Sequence, residues 1–322
     1  MPKALITGIS GQDGSYLAEL LLQEGYEVHG HVRRATLEDP GRRLWRLREI
    51  LDDLVLHSGT LESHASLFEC VQKARPDELY HLGAQSFVSY SFEDRSTMET
   101  NVGSTHSLLS AVRQLVPDCR FYFACSSEAF GHATSAPQNE DTPFNPRSVY
   151  GISKVAGFHL VKAHRENHGL LASSGILFNH ESPRRGFEFV TRKITSHAAA
   201  IKADKAKELV LGNLDARRDW GHARDYVRAM VRIVRAEKPN DYVIATGKSH
   251  SVREFCQLAF DHLDLDYREF VRTDERIHRP SEDVELRGDA SRAARELDWR
   301  PTISFDDLVK EMTDADNHAA SG

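Results

Sequence analysis

No two cysteines stand in a C-x-x-C spacing: the four present, Cys70, Cys119, Cys125 and Cys256, are scattered, and none pairs with histidine as a metal site would need. That pattern predicts reduced thiols, a cytoplasmic setting, no disulfide framework and no metal. An excess of basic residues is missing as well. The sequence has 41 Lys and Arg against 48 Asp and Glu, interspersed, for a formal net charge of −7. Such a balance argues against nucleic acid or an anionic membrane as partner, and leaves local basic clusters to a small anion or to salt bridges. No apolar run is long enough to span a bilayer, and MPKALITG runs straight into a strand-like pattern without a charged leader, so neither membrane nor export is expected. Internal repeats and low-complexity tracts are absent, and only the end, NHAASG, reads as disordered.

What is present is a rhythm. KALIT (3–7), EVHGHV (27–32), LVLHSG (54–59), ELYHLG (78–83), RFYFACS (120–126) and SSGILF (173–178) are short apolar runs separated by helix-compatible segments. That βαβ alternation predicts an α/β fold, a Rossmann-like doubly wound parallel sheet with helices on both faces. A chain of 322 residues passes the ~250–300 at which single cores stop growing, so one large or two interlocked domains are expected. After residue 178 the rhythm loosens into two Arg-rich loops around a helix-like VTRKITSHAAAIKA and an ELVLGN run. It then resumes in 223-ARDYVRAMVRIVRAE-237 and 241-DYVIATG-247, which predicts a smaller, discontinuous C-terminal domain.

In 7-TGISGQDG-14, Gly8, Gly11 and Gly14 follow the first strand and open a helix. Glycines there permit a tight turn and let a pyrophosphate approach the helix N-terminus, so the segment, with Gln12 and Asp13, is assigned to dinucleotide binding. An ordinary Gly-rich turn is the alternative, but the strand before and the helix after favour the functional reading. At the end of the second strand, where an NAD site usually places an acid, stand Arg33 and Arg34. Guanidinium groups suit a 2′-phosphate and predict NADP; the alternative is a solvated basic pair. In 145-NPRSVYGISK-154, Tyr150 and Lys154 share a face of a helix start. An ammonium beside the phenol would lower its pKa from about 10 toward neutrality and let it take a hydroxyl proton while a hydride leaves the same carbon. A half-buried aromatic beside a surface lysine is the alternative. Position favours chemistry, because the fifth strand's carboxyl end, 124-ACSSEAFG-131, supplies Ser126 and Glu128 where open α/β sheets hold ligands.

These motifs resemble the extended short-chain dehydrogenases/reductases. The long runs 177-LFNHESPRRG-186 and 212-GNLDARRDWGHARDYV-227, with LGAQS (82–86), 190-VTRKIT-195, 244-IATGKSHSVREF-255 and 279-RPSED-283, resemble the GDP-mannose 4,6-dehydratase family along nearly the whole chain. The resemblance implies that Tyr150 and Lys154 are the redox pair, that Ser126 stands for a threonine holding the sugar hydroxyl, and that Glu128 is the acid/base carboxylate. It implies a GDP-sugar substrate met by Ser86, Asn179, Arg185, Lys193, Arg218, Arg279 and Glu282, with Leu61 near the adenine. It further implies residues 1–178 as an NADP domain to which 219–247 return, and 179–218 with 248–322 as a nucleotide-sugar domain. A homodimer or homotetramer is implied through helices at 101–115 and 150–164, which carry more apolar surface than one buried face needs. Salt bridging is the alternative for at least two of Arg184, Arg185, Arg217 and Arg218.

The sequence departs from the family at Thr60, where an aspartate is usual, at Phe87 in place of histidine, and at Asn101 in place of aspartate. The loop 33-RRATLEDPGRRLW-45 keeps Gly41 and Arg42 but lacks the family's serine run. Three other readings remain: a 4-keto-sugar reductase or nucleotide-sugar epimerase, which would share Tyr150 and Lys154 but not need Glu128 as a base; a dehydratase of another nucleotide sugar such as a GDP-heptose; and a non-catalytic NADP-binding protein, in which Tyr150 or Lys154 would be expected to be missing, whereas both are present.

Overall fold

Short apolar runs become strands where both faces of a sheet can be covered. The computed structural model, which describes residues 1–88, 90–92, 94–274, 276 and 285–321, places seven of them in one parallel sheet. They are β1 (Lys3–Thr7), β2 (Glu27–Val32), β3 (Leu54–Ser58), β4 (Glu78–His81), β5 (Arg120–Ser126), β6 (Ala172–Leu177) and a last strand, Asp241–Ile244. Across the sheet the order is β3, β2, β1, β4, β5, β6 and Asp241–Ile244, so the chain runs outward in both directions from β1 and β4. Their carboxyl ends form the switch point at which such sheets bind ligands.

Alternation along each strand sorts side chains into two cores. Ala4 and Ile6 of β1 join Leu17 and Leu21 of the helix α1 (Gln12–Gln23) and Val227 and Met230 of the helix Ala223–Val234. Leu5, between them, faces the other way and joins Leu67 of the helix His64–Ala74 and Leu108 of the helix Ser104–Leu115. The last strand pairs with β6, Asp241 beside Ser174 and Ile244 beside Leu177. A third core, with Ile194, Trp220, Phe255, Leu308 and Met312, lies among the later segments. Short pairs connect those segments to one another: Asn179–Glu181 runs parallel to Trp220–His222, and Arg217–Arg218 antiparallel to His250–Ser251.

The end of the chain corrects the expectation of a disordered NHAASG. Phe305–Ser321 is one helix, and Lys205 Nζ donates to the Ala320 carbonyl at 2.6 Å. Just before this stretch, buried Asp316 accepts from Arg192 Nε at 2.9 Å and from Thr195 Oγ1 at 2.6 Å. A polar, small-residue ending reads as frayed because its anchors lie more than a hundred residues away. Asp316→Ala leaves the Arg192 charge buried and unpaired and is expected to cost about 3–5 kcal/mol, to be read from urea unfolding. Among the described residues no helix is long and apolar enough to cross a membrane.

Candidate active site

The first turn after β1 is built by close backbone approach. Gly8 has φ +75°, and a Cβ there would lie 2.8 Å from the Gly83 nitrogen, while one at Gly14 would lie 2.3 Å from the Gly8 carbonyl oxygen. Only glycine fits, and α1 therefore starts at the rim of the switch-point crevice. A cavity of about 900 Å³ follows this crevice, and Gly8, Gly11 and Gly14 line one wall with Leu61 and Arg33. Arg34 is not on the wall. It leads the short helix Arg34–Glu38, and its exposed guanidinium pairs with Glu38 one turn on, at 3.2 Å. Gln12 and Asp13 border the cavity, but their side chains are engaged elsewhere: Gln12 Nε2 donates to the His180 carbonyl at 3.1 Å, and Asp13 Oδ2 meets His180 Nε2 at 2.7 Å.

Further along the wall lie Ser126 and Glu128 at the end of β5, with Tyr150 and Lys154 opposite. Ser148 starts the helix Val149–His168 by accepting from Gly151 N at 3.0 Å, an N-cap that places Tyr150 in the first turn and Lys154 in the next. A Cβ at Gly151 would come within 2.6 Å of the Glu128 carbonyl oxygen, so glycine lets this helix start lie against the segment that carries Glu128. Ser126 is the neighbour that eases ionisation of the Tyr150 phenol. The expected lowering of that phenol by Lys154 is not found. Burial instead pushes Tyr150 well above its ordinary value. Lys154 is itself drawn down to about 8 by burial, and its Nζ donates to the Ala124 carbonyl at 2.8 Å, 5.7 Å from the Tyr150 ring centre. The lysine holds the strand end; within the protein alone, the tyrosine is a protonated phenol.

The opposite end of the cavity is basic. Arg185 lies 3.5 Å above the Phe189 ring and 3.0 Å from Glu181, while Phe189 meets Phe87 edge-on at 5.8 Å. Lys193 donates to the Val210 carbonyl at 2.7 Å, and Ser86, Asn179, Lys193 and Arg218 all line the wall. Arg184 and Arg217 belong to ion pairs, with Glu19 at 2.5 Å and Glu254 at 3.6 Å. Arg279 and Glu282 lie outside the described residues.

The sequence profile of the family described as GDP-mannose 4,6 dehydratase matches residues 5–312. The chain belongs to that family. It is 46% identical to GDP-mannose 4,6 dehydratase 1 of Arabidopsis thaliana, over 97% of this chain and 89% of that one. It is 44% identical to the GDP-mannose 4,6-dehydratase of Sinorhizobium fredii, over 97% and 96%. Among solved structures it resembles a dTDP-glucose 4,6-dehydratase from Bacillus anthracis in complex with NAD, with a TM-score of 0.83 and 20% identity over 98% and 96% of the two chains. At that identity the likeness is one of fold.

Family membership does not by itself disclose which polar residues hold the site together. His180 and Glu181 were legible only as letters of the FNHESP run, and Asp219 only as part of DARRDW. Asp219 is buried and accepts from Thr246 N and Gly247 N, both at 2.9 Å, which fastens the segment beside Arg218 to the turn after Asp241–Ile244. Asn101 accepts from Gln85 N at 2.8 Å and donates to Ser153 Oγ at 2.9 Å, joining the β4 loop to the helix of Tyr150. Glu62, two residues beyond the Thr60 departure, is the carboxylate on the cavity wall there and accepts from Thr100 Oγ1 at 2.7 Å.

The Asp13 and His180 pair carries a pH signature. Burial opposes charge on both, yet their attraction and hydrogen bond prevail, holding Asp13 below its ordinary value and His180 above its own. The His180 contribution is complete below an unfolded value of about 6.5 and is lost as pH rises through the raised folded value. The Asp13 contribution is present above about 3.9 and is lost as pH falls through the lowered one. The melting-temperature gap between the unsubstituted protein and His180→Gln is expected to be widest near roughly pH 5–6.5 and to narrow on the alkaline side.

Proposed function

We propose that the chain is a hydro-lyase that converts GDP-mannose to the GDP-4-keto-6-deoxy sugar with NADP as cofactor. The observation that carries this reading is the convergence of Glu128, Ser126 and Tyr150 on one cavity that also holds a glycine cradle and a basic far end. Relatives named GDP-mannose 4,6-dehydratase, matching over 97% of the chain, support the substrate. The cradle fits a dinucleotide, since a Cβ at Gly8 or Gly14 would strike backbone where a pyrophosphate must come close. Bound there, a nicotinamide supplies a hydride acceptor for sugar C4 and afterwards a donor for C6.

The protein's part is orientation and proton handling. Arg185, Lys193 and Arg218 hold the diphosphate, and Asn179 and Ser86 the sugar side. Ser126 and Tyr150 share the C4 hydroxyl, and Tyr150 removes its proton as C4 becomes a ketone. The C5 hydrogen is then α to a carbonyl, and Glu128 takes it and returns a proton to the C6 hydroxyl, which leaves as water. C6 regains the hydride taken from C4 while C5 is reprotonated, so no net redox change occurs. A panel of nucleotide sugars, followed by mass spectrometry for the loss of water, tests the assignment: GDP-mannose is expected to lose it, and a panel in which no sugar does contradicts the reading.

Arg33 on the cavity wall supports NADP over NAD by pairing with the 2′-phosphate. Titration is expected to show tighter binding of NADP, and equal affinities or a preference for NAD would overturn that choice. A homodimer or homotetramer in the cytoplasm completes the reading; the assembly is supported by Met98, ahead of the helix Ser104–Leu115, and Ile152, on the helix Val149–His168, which remain 39% and 47% exposed.

A further inference from the structure

Gln12 and Asp13 sit in the glycine turn, yet their side chains reach away from it to the substrate side of the cavity. Gln12 Nε2 donates to the His180 carbonyl at 3.1 Å, and Ser182 Oγ donates to Gln12 Oε1 at 2.8 Å. Asp13 Oδ2 meets His180 Nε2 at 2.7 Å. The other ring nitrogen, Nδ1, lies 2.7 Å from the Phe178 carbonyl, so both nitrogens face acceptors and the ring is an imidazolium. It lies flat on the Tyr226 ring, with centroids 4.4 Å apart. Arg185 is the neighbouring cation that opposes this charge, and Asp13 is the carboxylate that supports it.

The connection continues to the basic end. Ser182 Oγ accepts from Arg184 N at 3.0 Å, and its carbonyl accepts from Arg185 N at 3.0 Å. Arg184 then reaches back to α1, donating to Ser15 Oγ at 3.1 Å and to Glu19 at 2.5 Å. The loop that presents Arg185 to the cavity is thus fastened to the helix that begins in the glycine cradle, by contacts some 165–170 residues apart in sequence.

We propose that Gln12, Asp13, His180 and Ser182 are positioning residues that form a latch, through which a dinucleotide in the glycine cradle and a nucleoside diphosphate on Arg185 strengthen each other's binding. The inference rests on the proposed function for the two ligands, and it adds their coupling. Neither ligand need touch the His180 ring: ordering either end of the latch orders the other, so the second ligand meets a loop already in place. The coupling is reciprocal, the same factor in both directions.

The test is binding, not turnover. Dissociation constants for NADP are measured by calorimetry with and without saturating GDP, and those for GDP with and without NADP. The expected coupling in the unsubstituted protein is about fivefold or more, the lower range of allosteric couplings. His180→Gln and Asp13→Asn are expected to bring the factor close to one. Ser182→Ala removes one hydroxyl, serves if the charge variants do not fold, and is expected to reduce the factor by at least half. A coupling factor of one in the unsubstituted protein, or a factor unchanged in a folded variant, overturns the latch and leaves the dehydratase reading standing. A protein that binds neither NADP nor GDP overturns both.

Discussion

Glu128→Gln is expected to slow the dehydration of GDP-mannose by about a hundredfold to ten-thousandfold, the usual contribution of general acid–base catalysis, while leaving oxidation at C4 intact. Glutamine keeps the size and most hydrogen bonds of the side chain but cannot accept the C5 proton. Glu128 stands at the end of β5 on the cavity wall, its backbone N donating to Ser126 Oγ at 3.2 Å, so the variant disturbs neither strand nor cap. Under single-turnover conditions the reduced cofactor should accumulate on the enzyme, visible as near-ultraviolet absorbance, because the step that consumes it now waits on elimination. Turnover at the unsubstituted rate would show that Glu128 is not the C5 base and would favour a reductase or an epimerase.

Tyr150→Phe should act one step earlier. The phenol is buried and raised well above its ordinary value by desolvation, with Ser126 only partly offsetting this, so it is not a standing base. On the proposed mechanism it would give up its proton when the positive charge of a bound oxidised nicotinamide comes beside it. Phenylalanine fills the same space and keeps the cavity wall, but it can neither share nor remove the C4 hydroxyl proton. Loss of activity of at least about a hundredfold is expected, with almost no reduced cofactor in a single turnover. The two variants thus differ in the sign of one signal: Glu128→Gln accumulates reduced cofactor and Tyr150→Phe does not form it. If both accumulated it, the roles assigned to them would have to be revised.

Strand positions and a parallel sheet covered on both faces were readable, because burial imposes a period on the sequence. KALIT and RFYFACS are near-continuous apolar runs, and both became interior strands. The glycine spacing was readable for a similar reason, since a missing Cβ is a local requirement. Partnerships between polar side chains were not. Arg34 has the same letter as Arg33, yet helix geometry sends it to Glu38. Gln12 and Asp13 sit within a nucleotide-binding motif, while their partners, His180 and Ser182, lie on a different segment and no periodicity links them. The phenol's pKa was misjudged because spacing fixes which face Lys154 occupies but not how deeply the ring is buried, nor that the ammonium is held by the Ala124 carbonyl. Contacts of this kind depend on the assembled sheet.

The central claim is that a carboxylate removes the C5 proton between two hydride movements. Its most direct test is the reaction of GDP-mannose in deuterium oxide with the unsubstituted protein and catalytic NADP, with the product read by nuclear magnetic resonance. The account predicts a GDP-4-keto-6-deoxy sugar with solvent deuterium at C5 and no net consumption of cofactor. A product without deuterium at C5, or stoichiometric release of reduced cofactor with no loss of water, would contradict it.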